Sequence, residues 1–139
     1  KLETMEQWKQ QLVNAAIEAS KKAYCPYSKY HVGAALLVAG TQENPVIVAG
    51  CNVENASYPC GQCAEKTAIG AAVVQGYTKF DALACMTLDG GSPCGQCRQA
   101  LNEFGPTMHL ILCKPDGSIA LECSLDKILP YAFGPQNLL

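Results

Sequence analysis

Two cysteine motifs constrain this chain more than any other feature of its sequence. Cys63 and Glu65 stand two residues apart in the first motif, and the second is Pro93-Cys94-Gly95-Gln96-Cys97. Together they supply three thiols and one carboxylate. Zinc accepts cysteine thiolates readily, and a catalytic zinc site uses three protein ligands and leaves a fourth position for water. The fold is therefore expected to bring both motifs to one metal ion.

Cys60 allows a second interpretation of the same motifs. Cys60-Gly61-Gln62-Cys63 is a Cys-x-x-Cys pair, and Cys94-Gly95-Gln96-Cys97 repeats its letters. Two such pairs are typical of a closed structural zinc site with four cysteine ligands. Glu65, Pro93 and the helical segment that follows each pair favour a catalytic site instead. A catalytic site gains from thiolates at helix N-termini. The residues also fit the zinc-deaminase pattern H-x-E…P-C-x-x-C, in which cysteine can replace the histidine and the glutamate shuttles protons.

The composition indicates one globular domain that does not bind nucleic acid. The chain has 139 residues, of which 49% are hydrophobic and 16% charged, so residues 1–139 are expected to form a single domain with a proper core. The net charge is -2 and Arg98 is the only arginine. Nucleic-acid binding requires a basic face, so a small neutral or weakly charged ligand is predicted.

The cysteine content indicates a reducing compartment. Nine cysteines are present, an odd number in a chain longer than most disulfide-stabilised secreted domains. Cys85 and Cys113 lie in apolar runs, where a free cysteine behaves as a small hydrophobic residue. We expect neither a membrane span nor a signal peptide, and we predict a cytoplasmic protein.

The hydrophobic periodicity predicts an α/β fold, a three-layer α/β/α sandwich with a mixed five-stranded sheet. Thr4 and Gln7 form a possible capping box for the first helix, and Ser92 with Pro93 provides an N-cap and first residue for a later helix. Both metal-bearing helices are expected to start at the same edge of the sheet. The predicted helices cover residues 4–24, 63–75, 94–104 and 125–129, and the predicted strands cover 31–38, 46–50, 80–88, 108–113 and 118–122.

A polar segment over residues 52–58 joins the second strand to the first cysteine motif. Loops between a strand end and a helix start are where α/β sheets place their ligands. Its asparagine and glutamate side chains could bind the hydroxyls of a ligand. From these residues alone, however, a plain hydrogen-bonded turn is the favoured interpretation.

Taken together, the ordered motifs of this chain resemble those of the small homotetrameric cytidine deaminases. The resemblance runs nearly from end to end at matching spacings. The segments that carry it are 24–28, 32–35, 51–56, 63–65, 93–99, 129–130 and 133–135.

The resemblance implies zinc-dependent hydrolytic deamination of cytidine and 2'-deoxycytidine to uridine and 2'-deoxyuridine, with release of ammonia, in pyrimidine salvage. Cys63, Cys94 and Cys97 would bind one Zn²⁺ per chain, and Glu65 would shuttle protons. Asn52 and Glu54 would bind the ribose, and Phe133 would reach into a neighbouring subunit's site in a homotetramer. The substrate-binding positions implied are Tyr30, Asn52, Val53, Glu54, Asn55, Ala56, Ser57, Tyr58, Ala64 and Phe133.

Three positions depart from the pattern of that family. Lys66 follows the glutamate where an arginine is common, Cys60 replaces an apolar residue, and His31 stands where proline is expected. Lysine keeps the charge but lacks the bidentate geometry of arginine. His31 and His109 are given no function. Two other functions stay open: deamination of another cytosine-bearing small molecule, such as an aminoacyl-nucleoside antibiotic, and a non-enzymatic four-cysteine zinc module.

Overall fold

The computed structural model describes residues 5–138. This part of the chain contains four α-helices and five strands, and short 3₁₀ turns lie at Tyr58–Cys60 and Pro135–Asn137. None of the helices in residues 5–138 has the length and apolar character needed to cross a bilayer. The order is α1 (Gln7–Ser20), β1 (Gly33–Val38), β2 (Ile47–Cys51), α2 (Ala64–Val74), β3 (Phe80–Met86), α3 (Gly95–Asn102), β4 (His109–Cys113), β5 (Ile119–Ser124) and α4 (Leu125–Ile128).

The sheet is mixed and has the strand order β2-β1-β3-β4-β5. β1 and β2 form an antiparallel hairpin, and β1 also pairs antiparallel with β3. β3 and β4 run parallel, as the intervening α3 requires, and β5 returns antiparallel to β4. The predicted mixed five-stranded sheet is confirmed.

Helices cover both faces of the sheet, because successive strand residues point to opposite sides. On β1, Ala35 and Leu37 pack in the cluster that contains Leu12 and Ala16 of α1. Alternate strand residues pack on the other face with α2, α3 and α4, in the cluster that contains Ala68, Leu101 and Leu125. The three-layer α/β/α arrangement is therefore confirmed.

Two glycines let the helices approach the sheet at backbone distance. A Cβ atom at Gly50 on β2 would lie 2.5 Å from the amide nitrogen of Ala68 in α2. A Cβ atom at Gly33 on β1 would lie 1.8 Å from the carbonyl oxygen of Ala16 in α1. No side chain fits at either contact, so these two glycines fix how close α1 and α2 lie to the sheet.

The first helix is shorter than predicted at both ends. It ends at Ser20 and not at Tyr24, because the backbone of Tyr24 pairs instead with the 52–54 segment: Tyr24 N donates to Asn52 O at 3.0 Å and Glu54 N donates to Tyr24 O at 2.8 Å. Thr4 lies outside the described residues. The helix begins at Gln7 with Glu6 as N-cap, so Gln7 does not hold the third helical position that a capping box needs.

The predicted cap at Ser92 and Pro93 is wrong, because Cys94 is the N-cap of α3. Arg98 accounts for the difference. Its guanidinium donates to the Pro93 carbonyl oxygen at 2.7 Å and to the Ser92 hydroxyl oxygen at 2.9 Å, and it also reaches Ile128 O at 2.8 Å. These bonds hold residues 92–93 as an extended approach to the helix and leave the cysteine at its first turn.

Candidate active site

Three cysteine sulfurs meet where α2 and α3 begin. Cys63 is the N-cap of α2, Cys94 is the N-cap of α3, and Cys97 lies in the first turn of α3. Their Sγ atoms all lie within 4.8 Å of one another. The two predicted metal motifs therefore converge on one point, on the face of the sheet that α2 and α3 cover.

The chemistry of these donors fits zinc. Soft thiolates suit this ion, and the positive ends of two helix dipoles favour the negative charge that three thiolates carry. Burial raises the pKa of Cys63 and of Cys97. At Cys94, burial also opposes ionisation, but hydrogen bonds from Cys97, Cys63 and Gln96 together outweigh it and lower the pKa.

Cys60 lies outside this cluster. It ends the 3₁₀ turn Tyr58–Cys60 and is exposed. Within residues 5–138, the cluster consists of Cys63, Cys94 and Cys97. A closed site with four cysteine ligands needs a fourth sulfur at bonding distance. The described residues therefore provide three protein ligands, the number typical of a catalytic site.

Glu65 lies beside the three thiols at the second position of α2. Its side chain is buried, with the residue only 4% exposed, and its Oε2 atom accepts a hydrogen bond from the Cys85 thiol at 3.8 Å. Burial raises the pKa of the carboxyl above its usual range. A raised pKa makes this carboxyl a stronger base than an ordinary glutamate, as a group that accepts a proton during catalysis requires.

A cavity of about 780 Å³ opens onto the thiols and Glu65. Most of the predicted substrate-binding residues line this cavity, namely Tyr30, Asn52, Val53, Glu54, Tyr58 and Ala64. Asn55 lines a smaller cavity of about 380 Å³ that shares Glu54 and Tyr58 with the first. Neither lining includes Ala56 or Ser57, which are exposed, or Phe133, which is 59% exposed.

The Asn52 side chain is largely committed to the protein's own backbone. Its Oδ1 atom accepts from Val32 N at 2.9 Å, and its Nδ2 atom donates to Tyr30 O at 2.7 Å. An amide group carries two N–H donors, so one remains for a ligand. Asn52 therefore holds the backbone of residues 30–32 in place and also lines the cavity.

Glu54 is held in a ring of donors from the 27–28 turn. The backbone N–H groups of Tyr27 and Ser28 donate to Oε1 at 3.0 and 3.1 Å, and the Ser28 hydroxyl donates to Oε2. The Ser28 hydroxyl, followed by these backbone groups, lowers the pKa of Glu54. The carboxylate is therefore ionised at neutral pH and fixed in place.

Sequence reasoning did not single out the opposite wall of the cavity. Asp89 accepts there from the Tyr30 hydroxyl at 3.0 Å, from Thr87 Oγ1 at 3.2 Å and from Gly91 N at 3.2 Å. These bonds, led by that of Tyr30, lower the pKa of Asp89. Asp89 directly follows the predicted strand over residues 80–88. Its place after β3, the central strand, at the end where the metal motifs meet, was the available signal.

The charged side chains that line the cavity in the described part of the chain are all acidic. Glu54, Glu65 and Asp89 line it, and among its lining residues in the described chain none is lysine, arginine or histidine. An anionic ligand would find no charge partner there. The lining therefore suits a neutral ligand that is rich in hydroxyl and amine groups.

Lys66 and both histidines have contacts within the protein. Lys66 donates to Gln96 Oε1 at 3.1 Å, which joins the first turns of α2 and α3. His31 Nδ1 lies 3.1 Å from Ser20 O, and His109 Nε2 lies 2.6 Å from Glu122 Oε2.

Comparison with known proteins gives consistent matches. Residues 6–113 match the family described as the cytidine and deoxycytidylate deaminase zinc-binding region. The cytidine deaminase of Sporosarcina psychrophila is 42% identical over 132 residues, which cover 93% of each chain. The crystal structure of cytidine deaminase from Burkholderia pseudomallei is 41% identical, covers 88% of this chain and 97% of that one, and superposes with a TM-score of 0.79.

A crystal structure from Mycobacterium tuberculosis, also of a cytidine deaminase, agrees with these matches. It is 39% identical, covers 92% of this chain and 98% of that one, and has a TM-score of 0.75. The family match and the three-thiol cluster together confirm the prediction of zinc. Similarity of this extent in both sequence and fold shows that the chain belongs to the cytidine and deoxycytidylate deaminase family.

Proposed function

We propose that this chain catalyses the hydrolytic deamination of cytidine and 2'-deoxycytidine to uridine and 2'-deoxyuridine. The observation that carries the proposal is the meeting of Cys63, Cys94, Cys97 and buried Glu65 at one wall of a nucleoside-sized cavity. Relatives that match over nearly the whole chain carry the name of this activity.

Glu65 carries the protons of the reaction in this mechanism. Zinc held by Cys63, Cys94 and Cys97 supplies a Lewis acid that makes water a better acid and nucleophile. Glu65 accepts a proton from water and gives it to the ring nitrogen beside the amine-bearing carbon. The remaining hydroxide forms a carbon–oxygen bond at that carbon. Glu65 then takes the second proton from this new hydroxyl group and passes it to the amine, and the carbon–nitrogen bond breaks as a carbonyl forms and ammonia leaves.

The remaining lining residues bind the nucleoside. Glu54 is ionised and fixed by Ser28, so it can accept hydrogen bonds from ribose hydroxyls, and Asn52 has one N–H left to donate. Val53, Tyr30, Tyr58 and Ala64 complete the wall of the cavity. Because none of the lining residues within 5–138 is basic, we assign the nucleoside and not its phosphate ester as substrate.

The assay for this proposal follows the ultraviolet absorbance of cytidine together with release of ammonia. Zinc-loaded protein should convert cytidine and 2'-deoxycytidine and leave 2'-deoxycytidine 5'-monophosphate nearly untouched. Glu65→Ala should keep its zinc and lose turnover by about 10⁴-fold, since it removes the group that moves the protons. Full activity of Glu65→Ala, or a preference for the monophosphate, would contradict the assignment.

We further propose that the active protein is a homotetramer whose subunits complete one another's sites. Large apolar side chains lie on the surface, among them Tyr58 at 78% and Phe133 at 59% exposed. The side-chain amides of Gln99 and Asn102 donate to the Phe133 carbonyl oxygen at 2.8 and 3.2 Å. The backbone of Phe133 is thus anchored while its ring stays on the surface, as a residue that reaches a neighbour requires.

Light scattering of the purified protein tests the tetramer directly. Phe133→Ala should raise the KM for cytidine, and Tyr131→Ala, which alters another exposed aromatic residue two positions away, should leave it unchanged. A monomeric mass in an active preparation would contradict the proposal.

The unpaired thiols support a reducing environment for this enzyme. All nine cysteines are free, and a zinc site of thiolates is preserved where thiols stay reduced. We propose the cytoplasm as its location. We also propose that residues 1–139 act as one domain, since the helices of both outer layers share one sheet.

A further inference from the structure

We propose that the thiol of Cys85 is a positioning group for Glu65, and that it fixes the carboxylate for proton transfer. The kinetic consequence of this role rests on the proposed deaminase function. The bond itself does not, because it is a contact between two buried side chains.

The backbone of Cys85 is held in place next to the Glu65 carboxylate. It lies on the central strand β3, opposite Ala34 of β1 and Leu112 of β4, so its backbone is fixed by pairing on both sides. The residue is 1% exposed, lines the cavity, and places Sγ 3.8 Å from Glu65 Oε2. That separation is within the range of an S–H···O hydrogen bond, which is longer than an N–H···O or O–H···O bond because sulfur is a larger atom.

The metal ligands leave Cys85 as the donor to Glu65. Cys63, Cys94 and Cys97 lose their S–H protons when they bind zinc, because the thiolate is the metal ligand. Cys97 also forms a side-chain hydrogen bond to Glu65, but that thiol would lose its proton on binding zinc, whereas the bond from Cys85 would stay. Burial raises the pKa of Cys85 well above its ordinary value, so this thiol keeps the proton it donates.

A glutamate needs such a partner to hold one orientation. The terminal torsion of a carboxylate is broad and roughly two-fold, so burial alone does not select which oxygen faces the reacting atoms. A donor on Oε2 removes that freedom and leaves Oε1 available for the proton. Small errors in the position of a catalytic group are costly in rate, which makes this weak bond important for turnover.

The alternative is that Cys85 only fills space, and Cys113 is the matched control for it. Cys113 is a buried thiol on the neighbouring strand β4, and its Sγ donates to the carbonyl oxygen of Cys85 at 3.6 Å. Its side chain belongs to the core cluster on the α1 side of the sheet, whereas Cys85 belongs to the cluster on the α2 side. Both Cys→Ala changes remove one buried sulfur, but only one removes the donor to Glu65.

Steady-state kinetics on the zinc-loaded variants separate the two roles. Cys85→Ala should bind one zinc per chain, lower kcat by about 10-fold and change KM by less than about twofold. Cys113→Ala should keep kcat within about twofold of the wild-type value. Equal kcat values for the two variants would overturn the proposal.

Infrared spectroscopy tests the bond without relying on catalysis. The S–H stretching band of a donating thiol moves when its acceptor is removed, so the difference spectrum between wild-type and Glu65→Ala protein should show a shifted S–H band. The same comparison in the Cys85→Ala background should show none. Absence of a shift in the first comparison would overturn the proposal even in a fully active enzyme, whereas a shift in an inactive protein would count against the deaminase function only.

Discussion

Burial of the Glu65 carboxyl group, which the proposed catalysis requires, lowers the stability of the fold at neutral pH. Its carboxyl is buried, and burial raises its pKa above the ordinary value of 4.5. The folded protein therefore holds this proton more tightly than the unfolded chain does. As pH rises above 4.5, ionising Glu65 costs the folded state free energy, so this group lowers stability at neutral pH.

Glu65→Gln is expected to separate activity from stability. The amide cannot ionise, so the variant should avoid the cost of a buried charge and have a higher free energy of unfolding at pH 7.5 than the wild-type protein. Turnover of cytidine should fall by about 10⁴-fold because the amide cannot carry the proton. Urea unfolding of both metal-free proteins measures the first effect, and a lower stability for the variant would refute it.

Glu54 is expected to make the fold sensitive to acid. Hydrogen bonds, led by that of the Ser28 hydroxyl, lower its pKa below the ordinary value of 4.5. Its contribution to stability is therefore complete above pH 4.5 and is lost as pH falls through the depressed folded value. Glu54→Gln should make thermal stability less dependent on pH in this acidic range.

Glu43 provides the control for that measurement, because it is an exposed glutamate in the loop between β1 and β2. Glu43→Gln should leave the acid dependence of the wild-type protein intact. Identical pH profiles for the wild-type protein and Glu54→Gln would show that the bonds to the 27–28 turn do not contribute to stability.

At the level of whole elements, the position of α2 depends on Gly50. This helix carries Cys63 and Glu65 at its start, and Ala68 in its second turn lies against the backbone of β2 at Gly50. A methyl group there would lie 2.5 Å from Ala68 N, which is backbone and not a flexible side chain. Any substitution at Gly50 must therefore move the helix that carries the site.

Gly50→Ala and Gly70→Ala are expected to act in opposite directions. Gly50→Ala should lower the free energy of unfolding by about 3 kcal/mol through overpacking, and it should also weaken zinc binding. Gly70 lies within α2, where a Cβ atom would meet no other atom within 4 Å. Gly70→Ala should therefore stabilise the protein by about 0.5–1 kcal/mol, since alanine loses less entropy in a helix. Chemical denaturation with zinc analysis measures both, and equal effects would contradict this account.

The elements and the meeting of the three cysteines could be predicted because their signals are local. Cys63 and Cys94 each precede a helical segment, and a strand pattern precedes each motif, so convergence at one sheet edge followed from chain order. The helix ends could not be predicted in this way. Tyr24 and Arg98 decide two of them through partners far along the chain, such as Asn52 and Ile128.

The hydrogen bonds between side chains of the site could not be predicted either, because they join residues far apart in the sequence. The bond from Cys85 to Glu65 joins a strand to a helix, and the bond from Tyr30 to Asp89 crosses the cavity. Nothing in the neighbouring sequence marks either pair, because each residue matches an ordinary local pattern. Such contacts become visible only when the sheet register is known.

On the scale of the whole molecule, zinc held by Cys63, Cys94 and Cys97 would join the starts of two helices, α2 and α3, that are separated in the chain by β3. Saturating zinc should therefore stabilise the fold by mass action, and its removal by a chelator should lower the midpoint of thermal unfolding by about 10 °C. Cys94→Ser should abolish this dependence on zinc. Cys60→Ala should retain it, because Cys60 lies outside the cluster. Loss of zinc binding in Cys60→Ala would contradict a three-cysteine site.

The central strand also gives the metal site a place in the order of folding. β3 follows α2 and precedes α3 in the chain, and it pairs with β1 on one side and β4 on the other. The three sulfurs can meet only after β3 has inserted between those strands, and such long-range pairings form slowly. During refolding, zinc uptake from a coloured chelator complex should therefore lag behind helix formation and rise with completion of the sheet. Zinc uptake would then report the last stage of folding, because the binding site forms only when the sheet is complete.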